Sequence, residues 1–67
     1  MQDTYGGRIR ILREKKGLTQ QELAERCGVT RTAIVKYETN AIAPNAFVAV
    51  AIAEQLGTTV ENLVKGA

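Results

Sequence analysis

Four side chains in the middle of the chain have the types and spacing needed to recognise a nucleic acid. Positions i, i+1, i+4 and i+5 of a helix share one face, and here they hold Arg31, Thr32, Val35 and Lys36. Arginine and lysine can donate hydrogen bonds to guanine edges or phosphates, and threonine can form a hydrogen bond with either group. Valine can contact a thymine methyl. Ordinary solvated surface charge is the alternative for Arg31 and Lys36. These residues can act as a recognition surface only if neighbouring elements hold their face outward.

The segment before this face predicts a short capped helix followed by a tight turn. Thr19 and Glu22 have capping-box spacing, so a hydroxyl and a carboxylate can accept from the free amides at a helix start. This helix, the second of the chain, runs over about residues 20–27. Gly28 suits the left-handed position after a helix, where a side chain costs about 1 kcal/mol. The link to the next helix is therefore very short.

Helix 3 begins after Thr30, a good capping residue, and runs over about residues 31–38. Ile34 and Tyr37 share its inward face, which leaves the polar face outward. Ala24 on helix 2 is small enough to let the two helices cross closely. Together these features predict a helix-turn-helix, and the alternative is two helices of a generic bundle joined by a glycine turn.

Three further helices complete an all-α prediction. Asp3 or Thr4 can cap helix 1 and Gly17 can end it. Asn45 can cap helix 4 over about residues 46–56, and Thr58 or Thr59 can start the last helix. The loop over residues 39–44 contains Asn40, which tolerates a positive φ. The apolar face of helix 1 consists of Tyr5, Ile9 and Leu12. We expect a compact five-helix fold with a single domain over residues 1–67.

Composition argues against several classes of function. The 67 residues suffice for one small domain, and the single cysteine, Cys27, excludes an internal disulfide. The sequence has no histidine, no glycine-rich phosphate loop and no base beside the cysteine, so we expect no metal, no cofactor and no enzymatic activity. No segment approaches the roughly 20 apolar residues that span a bilayer. We expect no membrane association and a cytoplasmic location.

Charge is distributed unevenly along the chain. The formal net charge is +2, but eight of the nine basic residues precede residue 39, against five of the seven acidic ones. Such asymmetry permits an anionic partner on the N-terminal part without requiring one, because charged residues usually form solvated helix faces.

Two stretches of the sequence resemble a known family. These are RIRILREKKGLTQQELAERCGVTRTAIVKYE from Arg8 and IAEQLGTTVENL from Ile52. From about Gly6 to Val64 the chain resembles the Cro and phage-repressor helix-turn-helix domains, also called the xenobiotic-response-element (XRE) type. The resemblance implies a compact five-helix, lambda-repressor-like DNA-binding domain, in which helix 3 reads bases and the start of helix 2 meets the phosphate backbone.

The resemblance also assigns roles to individual residues. Gln20 matches a phosphate contact, which a free helix start and an amide side chain would suit. Arg13 and Glu38 match a pair that forms a salt bridge in many members and ties helix 1 to the end of helix 3. Base-reading or adjacent backbone positions are matched by Thr30, Arg31, Thr32 and Lys36.

Three departures from the family pattern affect what we expect. The loop after Glu38 lacks the usual basic residues, so non-specific DNA affinity should be weaker than in a basic-loop member. Cys27 stands where a larger aliphatic residue is common, and a small core residue is a simpler role for it than redox sensing.

Helix 4 is the third departure, since it is apolar nearly all round. Ala46 is smaller than the family's usual core residue, whereas Phe47, Val48 and Ala51 occupy positions that are often polar. Either helix 4 rotates so that Phe47 fills the volume beside Ala46, or Ile42, Phe47 and Val48 form a subunit or partner interface.

Two functional hypotheses follow. The first is a sequence-specific transcriptional regulator of double-stranded DNA, with the character of a repressor, that binds a palindromic operator as a homodimer through the major groove. Such a protein would be cytoplasmic, nucleoid-associated and bacterial or phage-like. The alternative is a protein-interaction module, such as an antitoxin-like or bridging domain, whose protein partner docks on the apolar surface of helix 4.

Overall fold

The computed structural model describes residues 4–66, in which capping side chains mark the start of every helix. Thr59 rather than Thr58 caps the last helix, and Asp3, the other candidate cap of the first, lies outside the described residues. Within this range the all-α, five-helix prediction is confirmed. The helices are α1 (Tyr5–Lys15), α2 (Gln20–Cys27), α3 (Arg31–Glu38), α4 (Ala46–Leu56) and α5 (Val60–Lys65). Their caps are Thr4, Thr19, Thr30, Asn45 and Thr59.

A complete capping box starts α2. The Thr19 hydroxyl accepts from the Glu22 backbone N–H at 3.0 Å, and the Glu22 carboxylate accepts from the Thr19 backbone N–H at 2.8 Å. The bond from the Thr19 backbone is the main cause that lowers the pKa of Glu22. Gly28 ends α2 with φ +70°, so the chain turns into α3 within three residues.

The core lies where all five helices converge. Ile9, Leu23, Ile34 and Ile52 are its largest fully buried side chains, and each stabilises the fold by about 1.5–3 kcal/mol relative to an exposed position. Leu63 brings α5 into the same core. Cys27 is half-buried against this cluster, and burial raises the pKa of its thiol. These properties fit the role of a small apolar residue.

The orientation of α4 tests one of the two predictions made for it, namely that Phe47 is buried beside Ala46. Ile52, Ala53 and Leu56 form its buried face. Phe47 precedes Leu56 by two and a half turns and therefore lies on the opposite side, where it is 88% exposed. The alternative in which Phe47 fills the volume beside Ala46 is wrong, because burying it would turn the apolar face of α4 away from the core.

The first turn of α1 is tied to the loop that follows α3. Asn40 adopts the left-handed conformation with φ +63°. Its side-chain oxygen accepts from the Gly6 backbone N–H at 3.1 Å, and its amide nitrogen donates to the Thr4 hydroxyl at 2.9 Å. The Tyr5 hydroxyl donates to the Ile42 carbonyl at 2.6 Å. These long-range bonds fix the loop against α1.

This close approach leaves no room for a side chain at Gly6. A Cβ there would clash with the Tyr37 carbonyl oxygen and would lie 2.7 Å from the Glu38 carbonyl oxygen. We expect Gly6→Ala to lower the free energy of unfolding by about 2–3 kcal/mol, the upper part of the usual cost of overpacking, because the Cβ would meet backbone atoms. Gly28→Ala is the control, since its Cβ would meet no atom within 4 Å and only the left-handed backbone is strained, at about 1 kcal/mol. Urea denaturation measures both, and an equal or smaller loss for Gly6→Ala would contradict a tight contact.

Candidate nucleic-acid interface

Helix α3 turns its polar face to solvent and its apolar face to the core. Ile34 is fully buried, with Tyr37 beside it on the inward face. Thr30 is exposed, and its hydroxyl caps α3 by accepting from the Ala33 backbone N–H at 3.1 Å. On the outward face, the side chains of Arg31, Thr32 and Lys36 are exposed, whereas that of Val35 is half-buried. Three hydrogen-bonding side chains and part of a valine are thus available to an external ligand.

The start of α2 lies next to the start of α3. Gln20 and Arg31 line the same open depression, together with Thr19, Gln21 and Arg13. The depression is therefore bordered by the N-terminal turns of both helices, where free backbone amides give a partial positive charge. An anionic ligand such as a phosphate suits this chemistry.

A buried ion pair holds these elements together. Arg13 Nε lies 2.6 Å from Glu38 Oε2, and Arg13 Nη2 lies 3.2 Å from Glu38 Oε1, so the pair has two parallel bonds. The side chains are only 10% and 3% exposed. Arg13 Nη1 also donates to the Leu18 carbonyl at 2.7 Å, in the turn before α2. The pair therefore links α1, the turn before α2 and the end of α3.

The Gln20 side chain belongs to the same network. Its amide nitrogen donates to Glu38 Oε1 at 3.1 Å, so one carboxylate fixes both Arg13 and Gln20. The sequence patterns predicted neither this bond nor the place of Thr19 and Gln21 beside Gln20 in the depression. No periodic pattern relates Gln20 to Glu38, because they are eighteen positions apart on different helices.

Within residues 4–66, no group of three or more histidine, cysteine, aspartate or glutamate side chains is arranged to hold a metal ion. In the same range, no helix has the length and apolar character needed to cross a membrane.

Comparison with known proteins decides what kind of domain this geometry forms. A helix-turn-helix family model matches residues 9–63. The chain belongs to the helix-turn-helix family of the Cro and phage-repressor type. This family consists of DNA-binding transcription regulators and is not a class of enzymes. The resemblance seen in the sequence is thereby confirmed.

Several helix-turn-helix proteins are similar to the chain. An uncharacterised HTH-type transcriptional regulator of Methanothermobacter thermautotrophicus (strain Delta H) is 49% identical over 49 residues, which cover 73% of this chain and 71% of the relative. The P22 c2 repressor, solved in complex with a synthetic operator, aligns with a TM-score of 0.93 and 31% identity over 96% of this chain and 97% of its own. The biofilm regulator SinR, solved in complex with DNA, aligns with a TM-score of 0.82 and 30% identity, covering 90% of this chain and 97% of its own.

The buried pair gives a stability prediction. Arg13→Met leaves the Glu38 carboxylate buried without its cation, so we expect the free energy of unfolding to fall by about 3–5 kcal/mol. The double variant Arg13→Met, Glu38→Leu removes both charges and should be more stable than Arg13→Met alone. Urea denaturation of the wild type, both single variants and the double variant forms a complete cycle. Additive effects would mean that the two side chains do not interact.

Proposed function

We propose that this helix-turn-helix chain is a sequence-specific regulator that represses transcription by binding a palindromic operator as a homodimer, with α3 in the major groove. One observation carries the proposal. The buried Ile34 fixes the rotation of α3 so that Arg31, Thr32 and Lys36 all face solvent. A helix held in this way matches the requirements for reading base edges. The proposed activity is binding alone, with no catalytic step and no cofactor.

Each side chain receives a role from its chemistry and position. Arg31 and Lys36 donate to guanine edges or to neighbouring phosphates, Thr32 donates to a base or phosphate, and Val35 offers an apolar contact to a thymine methyl. Thr30, the N-cap of α3, contacts a base or the adjacent phosphate backbone in this proposal. These contacts determine sequence preference where they reach bases and only position the protein where they reach phosphates.

Gln20 is proposed as a phosphate ligand. Its amide nitrogen carries two hydrogens, and the bond to Glu38 uses only one of them. The second hydrogen, with the free amides at the start of α2, can bind a phosphate oxygen. Glu38 therefore holds the Gln20 amide in position before DNA arrives, which reduces the entropy lost on binding.

The solved relatives support DNA as the ligand. The P22 c2 repressor was solved with a synthetic operator and SinR with DNA, and both are at least 30% identical to this chain. The family and the DNA ligand also favour a cytoplasmic location at the nucleoid. The homodimer is inferred from size, because α3 has only eight residues and two copies about 34 Å apart would double the specific contacts.

The operator prediction can be tested by selecting bound sites from random DNA duplexes. We expect the enriched sites to contain two inverted half-sites whose centres are about one helical turn, or about 34 Å, apart. The spacing follows from two α3 helices that enter successive major grooves on the same side of the duplex. Sequencing of the bound pool provides the measurement. Enrichment of a single unpaired half-site would reject the dimer, and no enrichment at all would reject sequence-specific binding.

Variants of the proposed contacts separate base reading from phosphate binding. Arg31→Ala and Lys36→Ala should each reduce discrimination between operator and random DNA by about 1–3 kcal/mol if they contact bases. Gln20→Ala should weaken binding to all sequences similarly. The control is Lys65→Ala, which removes one positive charge from the far end of the chain, where Lys65 pairs with Glu61. Titrations are run at several salt concentrations, and equal binding by all four variants would refute the assigned interface.

A protein partner other than a second copy is the alternative function, and the exposed Phe47 favours it. A structurally similar protein supports this possibility too, since SinR was also solved in complex with the SinI protein. In this alternative the domain is an antitoxin-like or bridging module that uses the apolar side of α4. It requires that Phe47 stays uncovered when the pure protein is concentrated.

A further inference from the structure

We propose that the apolar side of α4 is the contact between two copies of this chain, with Phe47 of each copy inserted into a cleft of the other. The proposal rests on the proposed homodimer and names its surface. Three observations carry it: a protruding aromatic side chain, an open apolar cleft beside it, and a surrounding segment without charge.

Phe47 is the protruding group. It is 88% exposed on the solvent side of α4, and Val50, one turn further along the same side, is 47% exposed. Ile42, in the loop before α4, is also exposed. We call Ile42, Phe47 and Val50 the α4 face. Val48, which the sequence placed in a possible interface, is instead half-buried against the core. A phenylalanine is among the most costly side chains to leave in water, because its large apolar surface forms no hydrogen bonds.

The cleft is formed by small side chains where larger ones would fill the space. It has a volume of about 240 Å³ and lies between the start of α4, α5 and the first turn of α1. Ala46 and Ala49 line the cleft on the α4 side, and Tyr5 lines it on the α1 side. The Tyr5 hydroxyl donates to the Ile42 carbonyl, which fixes the position of its ring. The remaining surface residues of the lining include Ala43, Pro44 and Val64. A cleft of this composition suits an apolar side chain.

The protruding group and the cleft are adjacent in every copy, since Ala46 and Phe47 are consecutive residues. In a contact with two-fold symmetry, the same patch serves both subunits, and residue i meets residue j twice. A protrusion beside a cleft satisfies that condition, because each Phe47 can enter the opposite cleft in the same movement. This geometry favours a second copy over an unrelated partner, which would need only one of the two features.

Charge is compatible with self-association. The sequence from residue 39 to residue 53 contains no ionisable side chain, so two copies of the α4 face meet without like charges opposite each other. Elsewhere the chain carries a charged residue every few positions. A partner recognised through opposite charge would find nothing on this segment to bind.

The size of the molecule explains why a protruding side chain is needed. The Cα atoms span 26 × 23 × 22 Å, whereas half-sites in successive major grooves lie about 34 Å apart. Two domains at that spacing meet only through side chains that extend beyond their backbones. We expect such a contact to bury less than the roughly 800 Å² per partner of a stable interface, and therefore to form only a weak dimer in free solution. On DNA, two bound copies have a high effective concentration, and a weak contact is then sufficient.

The test measures self-association without DNA and binding to DNA separately. Sedimentation equilibrium over a wide range of protein concentration gives the dimer dissociation constant. Phe47→Glu should raise it by about a hundredfold or more, because both apolar insertions are lost. Ala46→Leu should raise it at least about tenfold while leaving Phe47 in place, because the leucine fills the cleft from its own side. Circular dichroism melting verifies that each variant is folded.

Gln55→Glu is the matched control. It adds the same charge to α4 at a position outside the α4 face and the cleft, and self-association should not change. Equal association of the wild type, Phe47→Glu and Ala46→Leu would overturn the proposal, as would a wild type that stays monomeric both free and on a two-half-site duplex.

Binding to a duplex with one half-site separates this proposal from the proposed function. Phe47→Glu should bind one half-site like the wild type, and should lose only the cooperative binding of a second copy to a two-half-site duplex. If the wild type binds no DNA but associates through Phe47, the DNA-binding function fails and the contact stands. If DNA binding is intact and cooperativity is unchanged in Phe47→Glu, the contact fails and the function stands.

Discussion

The ion pair between Arg13 and Glu38 is the interaction on which the arrangement of this helix-turn-helix depends. Two charges removed from water are tolerated only because each satisfies the other, with further bonds to the Leu18 carbonyl and the Gln20 amide. A hydrophobic contact in the same place would stabilise the fold without fixing the angle between α1 and α3. The two parallel bonds of the guanidinium fix the end of α3 relative to α1, and the shared carboxylate relates α3 to the start of α2.

Sequence patterns predicted those parts of the fold that local interactions determine. Thr19, Thr30 and Asn45 identified helix starts because a cap satisfies amides within its own first turn. Gly28 and Asn40 were correctly assigned positive φ for an equally local reason. Between Thr58 and Thr59 the local chemistry is identical, so only the structure could decide.

Long-range contacts were beyond such patterns. Whether Phe47 is buried depends on how much volume the other helices leave beside Ala46, and no short stretch of sequence contains that information. The same limitation applies to Arg8, which donates to the Leu63 and Val64 carbonyls at the end of α5, fifty-five or more residues away. The outward face of α3 was predictable, because the position of Ile34 fixes the opposite side of a short helix. Which of its residues contact bases depends on a ligand that the sequence does not describe.

The uncharged loop between α3 and α4 affects how such a regulator would find its operator. Attraction to random chromosomal DNA comes almost entirely from cations near phosphates, and residues 39–45 contribute none. For such a regulator, each encounter with a non-cognate stretch would therefore be brief, and the protein would return to solution sooner than a family member with a basic loop. Fewer molecules would then be bound to non-cognate sites, and sliding along the DNA would cover shorter distances. Occupancy of the operator would then depend more on the number of protein molecules in the cell and on cooperative contacts between bound copies than on non-specific affinity for DNA.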